Sequence, residues 1–195
     1  SVDPLHMDME EIWNNPLYMP DAEAAGKAGK LLEESMQNLD SVGGIIECVA
    51  HGVPAGVGEP VFEKLDANLA KAVMSIGAVK GFEIGDGFEA ARSFGSTDND
   101  GFRADNGKIV KTSNHAGGIM GGISDGSDII LRAAVKPTPS IFRPQQTVNQ
   151  NGENITVRIK GRHDPIIVPR AVVVVEAMTA ITILDMLMLA KNSKL

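Results

Sequence analysis

Apolar residues recur at helical spacing in three parts of the chain. From Asp21, an N-cap residue type followed by Glu23 in the first turn, the spacing predicts a helix. Its apolar positions are Ala24, Ala28, Leu31, Leu32, Met36 and Leu39. A second helix is predicted by the i, i+3, i+4 steps of Val61, Phe62, Leu65, Leu69, Val73 and Ile76.

The third helical segment begins at Pro169, a residue suited to the first helical position, and runs toward Lys191. The four consecutive valines, Val172–Val175, favour a strand by local propensity. The length of the segment and its later Ala, Met and Leu content favour a helix, which we take as the prediction. Glu176 and Asp185 interrupt the apolar run, so we expect a buried helix rather than a membrane span.

Shorter runs with alternating apolar residues predict strands. They lie at 45–50, 79–84 and 128–135, and a hairpin is predicted at 147–160, where Asn151-Gly152 suggests a two-residue primed turn. Residues 94–112 are polar and glycine-punctuated, and we expect an exposed, mobile loop there. Strands and helices do not alternate strictly, so the predicted class is α+β rather than a doubly wound sheet.

Composition narrows the functional classes. The chain has 195 residues, of which 43% are hydrophobic, enough for one ordinary domain or two small ones. A net charge of -7 argues against a general nucleic-acid binder, and the single cysteine, Cys48, excludes an internal disulfide. No secretory signal is visible, and we expect a soluble, cytoplasmic protein without membrane or nucleic-acid partners. Residues 1–20 are expected to be a lead-in segment or an appended remnant, and 21–195 the folded domain.

Two loops carry glycines, hydroxyls and a cation that a ligand could use. Four glycines lie between Gly117 and Gly122, where backbone N–H groups can approach an anion; a tight structural crossing is the alternative. Lys136–Ser140 ("KPTPS") directly follows a predicted strand, and its two prolines stiffen the loop. Lys136, Thr138 and Ser140 could bind a phosphate or a ring carbonyl, although taken alone the segment also fits an ordinary proline-rich turn.

Three titratable or charged residues precede the last helix. His163 can exchange protons near neutral pH, Asp164 can act as a base, and Arg162 can hold a phosphate bidentately. The structural alternative is an Asx turn at Asp164 before Pro165, with Arg162 as a weak surface ion-pair partner. The other histidines have no carboxylate or cysteine at metal-ligand spacing, so no metal site is predicted.

Four segments in this order and spacing are similar to chorismate synthase. They are "GVPAGVGEPVFEKLDANLAKAVMSIGAVKGFEIGDGF", "SNHAGGIMGGISDG", "VKPTPSI" and "GRHDPIIVPRAVVVVEAM". The resemblance covers roughly residues 15–190. It implies a β-α-β sandwich and a homotetrameric lyase of the shikimate pathway, active in aromatic amino-acid biosynthesis. Such an enzyme uses reduced FMN to eliminate phosphate from 5-enolpyruvylshikimate 3-phosphate in a 1,4-anti reaction that forms chorismate.

The resemblance also assigns site residues. It implies flavin contacts at Gly77, Ala78, Gly121, Arg162 and the loop Lys136, Pro137, Thr138, Pro139 and Ser140. Asp164 resembles the family acid beside the flavin N5 that helps to shuttle its proton, and His163 precedes it in the same loop. The family commonly has asparagine where Gly77 stands and serine where Pro139 stands, so we expect modestly altered flavin affinity.

Motifs of the family's N-terminal half, "GESHG"-like and "GR-S-RET"-like, do not occur in this sequence. The chain therefore resembles the C-terminal portion of the enzyme. It lacks the histidines and arginines of the N-terminal motifs, which bind the substrate in the family. We expect a fragment that is inactive alone. The alternative is a folded, non-catalytic module that keeps assembly surfaces but does not bind flavin productively. A third alternative is an unrelated phosphate-binding α+β protein.

Overall fold

The computed structural model describes residues 7–161 and 163–192. Arg162, a predicted flavin ligand, lies outside the described residues. The chain divides into two compact units. One unit takes the chain up to Gly44 and Val135–Ala171, and the other takes Ile45–Ala134 and the chain from Val172 onward.

Helices and strands are mixed along the described chain, which confirms the predicted α+β class. The helices are α1 (Ala22–Gln37), α2 (Leu65–Met74), α3 (Gly95–Asp98) and α4 (Val168–Asn192). The strands are β1 (Gly44–Ala50), β2 (Val79–Ile84), β3 (Phe102–Asp105), β4 (Lys108–Lys111), β5 (Ile119–Met120), β6 (Ile123–Ser124), β7 (Ile129–Val135), β8 (Gln145–Val148) and β9 (Asn154–Val157).

The first unit contains α1 and the antiparallel hairpin of β8 and β9. Asp21 caps α1 as predicted, because its Oδ1 accepts a hydrogen bond from Ala24 N at 2.9 Å. The β8–β9 hairpin is also confirmed, but the predicted two-residue turn is wrong. Val148 pairs with Asn154, which leaves a five-residue loop. The side chain of Asn149 accepts from the N–H groups of Asn151 and Glu153, and this Asx arrangement replaces the primed turn.

The second unit is built on a three-stranded sheet of order β1-β7-β2. The apolar side chains of its core come from the strands, α2 and α4, and are aliphatic or methionine. They are Ile46, Leu65, Leu69, Val73, Val79, Ile129, Leu131, Ala133, Val175, Ile183 and Met186. Burial of such side chains is the main stabilising contribution to this unit.

The second helix starts later than the sequence predicted. Glu59 N donates to Glu63 O at 2.9 Å, which closes a small loop before α2. Val61 and Phe62 lie in that loop and are 69% and 90% exposed, so they do not belong to the apolar face of the helix. The prediction was wrong by about one turn because Gly58 and Pro60 favour a loop over a helix start.

Residues 94–112 are more ordered than the predicted mobile loop. They contain α3 and the β3–β4 hairpin, in which Asp105 pairs with Lys108. Asn106 and Gly107 both have positive φ, 48° and 78°, as a type I′ turn requires. The expected exposure is correct for β3, while Lys111 at the end of β4 is nearly buried.

The C-terminal segment is a helix, α4, as predicted, but the expectation that it is buried is wrong. Only 22% of its most apolar 18-residue stretch is buried. Val173, Ile181, Leu184 and Met188 are each about 60% exposed. By length and composition alone, Val168–Asn192 is able to cross a membrane.

Candidate functional site

In the first unit, a short segment links the two loops that the sequence analysis singled out. The hydroxyl of Ser41 donates to the carbonyl oxygen of Thr138 at 2.7 Å. The next residue, Val42, donates its N–H to the carbonyl oxygen of Pro165 at 2.9 Å. The fold therefore brings Thr138 of the "KPTPS" loop and Pro165, which follows Asp164, into contact with residues 41–42.

Close packing next to this segment fixes the position of the first loop. A Cβ on Gly43 would lie 2.4 Å from the carbonyl oxygen of Val135 and 3.1 Å from Cδ of Pro137, so only glycine fits. Further along, the Pro139 carbonyl accepts from the side chain of Gln145 at 3.3 Å. The loop is held by contacts of its backbone.

Two polar side-chain atoms on these loops are buried without a hydrogen-bond partner among the described residues: Thr138 Oγ1 and His163 Nε2. The His163 ring packs edge-to-face against Phe142, with ring centroids 4.9 Å apart. A buried hydroxyl or ring nitrogen without a partner is costly, by about 1–3 kcal/mol. Such atoms therefore mark a place where a bound molecule can supply the missing hydrogen bonds.

Charged groups surround the same loops. Lys136 is exposed, and Ser140 is partly buried. The guanidinium of Arg170 donates to Asp164 Oδ2, so the ion-pair partner of Asp164 among the described residues comes from α4. Both side chains of this pair are substantially exposed, which makes its contribution to stability small. Its effect is to orient the carboxylate of Asp164.

A second ion pair in this unit joins Arg143 to Asp40, at 2.9 Å. The hydrogen bond from Ser41 N–H, followed by that from the Arg143 guanidinium, holds the pKa of Asp40 below its ordinary value. Asp40 thus connects the residues after α1 to the loop that follows Ser140, and Ser41 connects them to Thr138.

The remaining predicted flavin contacts lie in the second unit. Gly77 and Ala78 follow the C-terminal end of α2, and Ala78 has a positive φ of 73°. A Cβ on Gly77 would meet no atom within 4 Å, so a side chain at this position would have open space. The positive φ of Ala78 is a conformation that a non-glycine residue rarely adopts.

The glycine cluster separates into two kinds of position. Gly117 and Gly118 are packed against backbone: a Cβ on Gly117 would lie 2.4 Å from Gly85 N, and one on Gly118 would lie 2.5 Å from Asp128 O. These two glycines have the structural role that was the alternative explanation. Gly121, in the turn between β5 and β6, has a positive φ of 61° and nothing within 4 Å of its Cβ position. Gly121 alone of these three leaves space for a ligand.

Gly121 and Gly77 lie at opposite ends of α2. Gly122, next to Gly121, accepts a hydrogen bond through its carbonyl from Leu65 N at 2.8 Å, at the start of the helix. Gly77 comes just after its last turn. A ten-residue helix is about 15 Å long. The second unit therefore does not bring these two predicted contacts next to each other.

A buried charge network in the second unit was missed by sequence reasoning. Lys111 Nζ lies 2.9 Å from Asp100 Oδ2 and 2.8 Å from Asp125 Oδ2, and all three side chains are less than 10% exposed. Burial alone would raise the pKa of Asp100, but hydrogen bonds from Ala116 N–H, Ser113 and Lys111 outweigh it and lower the pKa. The network fixes the chain immediately before the glycine cluster.

His115 is held at the edge of that network. Its Nδ1 lies 2.7 Å from Asp86 Oδ2, and its backbone N–H donates to Asp100 Oδ1 at 2.8 Å. Both side chains of the His115–Asp86 pair are more than one third exposed. Within the described ranges, no group of three His, Cys, Asp or Glu side chains is arranged to hold a metal ion.

Comparison with known proteins agrees with the four sequence segments. The sequence model of the chorismate synthase family matches residues 2–188. Chorismate synthase of Lachnoclostridium phytofermentans is 63% identical over the whole chain, and that of Methanosarcina barkeri is 58% identical over 91% of it. The chain spans about half the length of the curated relatives it matches, 55% and 49% respectively.

The fold is also that of a solved relative. A crystal structure of chorismate synthase superposes with a TM-score of 0.76 and 35% sequence identity, covering 93% of this chain and 48% of that one. The predicted fold type, incomplete relative to the family, is confirmed. The chain belongs to the chorismate synthase family.

Proposed function

We propose that this chain is the flavin-side portion of an enzyme that makes chorismate from 5-enolpyruvylshikimate 3-phosphate. The reaction is a 1,4-anti elimination of phosphate, so the intact protein is a carbon–oxygen lyase of aromatic amino-acid biosynthesis. The observation that carries the proposal is the pair of buried, unpartnered polar atoms, Thr138 Oγ1 and His163 Nε2. They lie on the two loops that the family resemblance assigns to flavin and proton transfer.

The residues present fit reduced FMN. Lys136 is an exposed cation for a phosphate or a ring carbonyl, and Thr138 offers a hydroxyl that lacks a partner within the described chain. Pro137 and Pro139 stiffen the loop between them, which lowers the entropy lost on binding. Pro139 offers no N–H, consistent with a slightly weaker site than serine would give. The family resemblance implies further contacts at Ser140 and Arg162, and at Gly77, Ala78 and Gly121 of the second unit.

Reduced FMN, when bound, supplies transient electron density that lets phosphate depart before a ring hydrogen is lost. The residues of the protein accept and donate the protons that move during this elimination. Asp164 accepts and returns a proton through its carboxylate, which Arg170 holds in orientation. His163 can give or take a proton at Nε2, and Phe142 limits the rotation of its ring.

Catalysis requires the part of the enzyme that this chain does not match. Substrate and cofactor are both anionic, while the chain has a net charge of -7 and no long-range attraction for them. The local cations proposed here, Lys136, Arg143, Arg162 and Arg170, are too few to hold both molecules. We infer a cytoplasmic homotetramer for the intact enzyme and no turnover by this chain alone.

The test is an FMN titration of the chain, followed by flavin fluorescence, with and without 5-enolpyruvylshikimate 3-phosphate. We expect saturable FMN binding, and tightening by the substrate would show that this chain also contributes to substrate binding. Thr138→Val should weaken binding about tenfold, since one buried hydrogen bond is lost. The same variant should not lower the free energy of unfolding, because in the free chain the hydroxyl has no partner among the described residues.

Thr147→Val is the matched control, since Thr147 lies on the exposed strand β8 and should leave FMN affinity unchanged. Failure of the wild-type chain to bind FMN would favour the non-catalytic module instead. Equal FMN affinities for the wild type and Thr138→Val would remove Thr138 from the proposed site.

A further inference from the structure

The sequence contains two Asn-Gly pairs, and each lies in the loop of a two-stranded hairpin: Asn106-Gly107 between β3 and β4, and Asn151-Gly152 between β8 and β9. All four residues are exposed. An asparagine followed by glycine readily loses its side-chain amide, because glycine has no side chain to hinder attack by its own backbone nitrogen. From local sequence alone, the two pairs should therefore have comparable reactivity.

The reaction uses the backbone nitrogen of the glycine as the nucleophile. This nitrogen gives up its proton and attacks the side-chain carbonyl carbon of the preceding asparagine. The new N–C bond closes a succinimide ring, the C–N bond of the side-chain amide breaks, and ammonia leaves with the proton. Water then opens the ring at either carbonyl and produces aspartate, or isoaspartate, in which the backbone continues through the side chain.

Hydrogen bonds to Asn149 restrain the second pair. The backbone carbonyl of Asn149 accepts from the Gly152 N–H at 3.1 Å, so the attacking nitrogen is already engaged. The Oδ1 of Asn149 accepts from the N–H groups of Asn151 at 2.9 Å and Glu153 at 3.0 Å. The residues on both sides of Gly152 are therefore held, and this loop has to open before Asn151 can react.

The first pair lacks this restraint. The Gly107 N–H makes no hydrogen bond to another residue of the described chain, and the side-chain amide of Asn106 donates to the exposed carboxylate of Asp105 at 3.2 Å. All four residues of β3 are exposed, and a hairpin of two strands is only marginally stable by itself. The backbone rotation that brings the Gly107 nitrogen to the amide carbon therefore meets little resistance.

We propose that Asn106 is a modification site of the folded chain, converted spontaneously to aspartate and isoaspartate, and that Asn149 protects Asn151 from the same reaction. Water is the only co-reactant. The inference rests on the hydrogen bonds of the two loops and is independent of flavin binding.

Modification of Asn106 should alter one end of the β3–β4 hairpin. Either product adds a negative charge beside Asp105, and isoaspartate also lengthens the backbone of the turn. The pairing of Asp105 with Lys108 should therefore be lost first. At the other end of the hairpin, Lys111 remains held by its buried ion pairs.

The test follows both sites in one sample, so that each site is a control for the other. The chain is incubated at slightly alkaline pH and digested with trypsin at intervals. Mass spectrometry after chromatography then separates the asparagine, aspartate and isoaspartate forms of each peptide. Cleavage after Arg103 and Lys108 isolates Asn106 in peptide 104–108.

We expect Asn106 to react at least tenfold faster than Asn151 in the folded chain, which corresponds to about 1.4 kcal/mol of protection at Asn151. In urea, where both hairpins are open, the two rates should become similar. Equal rates in the folded chain, or faster loss of Asn151, would overturn the proposal. An Asn106 that reacts in urea but stays intact in the folded chain would overturn it as well.

Two substitutions test the protecting residue. Asn149→Ala removes the side-chain acceptor and should speed the reaction at Asn151 several-fold, while the rate at Asn106 stays unchanged. Asn149→Asp is the matched control, because it keeps a side-chain oxygen that accepts the same hydrogen bonds, and it should protect Asn151 as the wild type does. If Asn151 stays protected in Asn149→Ala, or reacts equally fast in both variants, the protecting role of the Asn149 side chain is wrong.

Discussion

The ammonium of Lys111 lies 2.9 Å from a carboxylate oxygen of Asp100, although their side chains are only 7% and 2% exposed. The same carboxylate accepts hydrogen bonds from Ser113 and from the backbone of His115. Asp125 is the second anionic partner of the lysine. One buried cation and two carboxylates thus connect the residues before and after the glycine cluster.

The first prediction is that Asp100→Asn destabilises the chain. Removing one partner of a buried ion pair leaves the other charge undercompensated, and an amide cannot accept all the hydrogen bonds that the carboxylate accepts. We expect the free energy of unfolding to fall by about 3 kcal/mol, measured by urea denaturation followed by circular dichroism. Lys27→Met, which breaks the exposed Lys27–Glu23 pair, is the control and should cost less than about 0.5 kcal/mol. Equal effects of the two substitutions would contradict a stabilising network.

The second prediction concerns the proton on His115. The hydrogen bond that His115 donates to Asp86 is the main reason that the pKa of His115 is raised, and the negative charges of Asp86, Asp100 and Asp98 add to it. Asp86→Asn should lower this pKa toward its ordinary value, as measured by NMR titration of the imidazole. Asp98→Asn is the matched control and should lower the pKa less.

The direction of the accompanying pH dependence follows from linkage. Because the folded pKa of His115 lies above the unfolded pKa, the pair stabilises the fold below about pH 6.5. That stabilisation is lost as the pH rises through the folded value. The stability difference between wild type and Asp86→Asn should therefore be larger at acidic pH than at alkaline pH. A difference that grows toward alkaline pH would show that the pair is not the cause.

The third prediction separates the glycines by their surroundings. Gly117→Ala places a methyl group against the Gly85 backbone at a positive φ and should cost about 3 kcal/mol. Gly77→Asn enters open space and should change stability by less than about 0.5 kcal/mol. If residue 77 contacts flavin as the family resemblance implies, this substitution should tighten FMN binding several-fold in a fluorescence titration. Unchanged affinity would remove residue 77 from the flavin site.

Patterns among residues that are close in the sequence were sufficient to predict several helices and strands. The cap at Asp21, the spacing of Leu65, Leu69 and Val73, and the alternation in β7 each depend on neighbouring residues, so the sequence identifies them. Asn106-Gly107 carries the same turn signal as Asn151-Gly152, yet the strands beside it are short and polar. Asn106-Gly107 forms the primed turn. Asn151-Gly152 does not, because the side chain of Asn149 accepts hydrogen bonds from the backbone N–H groups of Asn151 and Glu153.

The parts that could not be predicted depend on distant residues. Ser41 reaches Thr138 across 97 positions, and nothing local to either residue indicates that contact. Lys111 and Asp100 appear as surface charges in a polar segment, and only the tertiary fold shows their burial. Likewise, the pattern of α4 shows that it is apolar all round, but it does not show which face the described chain leaves uncovered. The candidate site was located from motif resemblance, while its unpartnered atoms required the structure.

The fourth prediction is that this chain alone does not form chorismate. It lacks the motifs that the family resemblance assigns to substrate binding, and it spans only about half of its relatives. A phosphate-release assay with reduced FMN and 5-enolpyruvylshikimate 3-phosphate should give no rate above the protein-free control. The intact Lachnoclostridium phytofermentans enzyme under the same conditions is the positive control. Measurable turnover by the chain would mean that the matched half holds a complete site.

The fifth prediction tests Asp164 in the intact Lachnoclostridium phytofermentans enzyme, at the aligned position. Asp164→Asn keeps the size of the side chain but removes its capacity to accept a proton, so elimination should slow by about 100-fold. Binding of oxidised FMN should stay within about twofold of wild type. Arg170→Gln is the comparison, because it breaks the same ion pair and leaves the carboxylate in place. If Asp164 only anchors its loop, the two variants should lose rate equally; if it transfers a proton, Asp164→Asn should be much slower than Arg170→Gln.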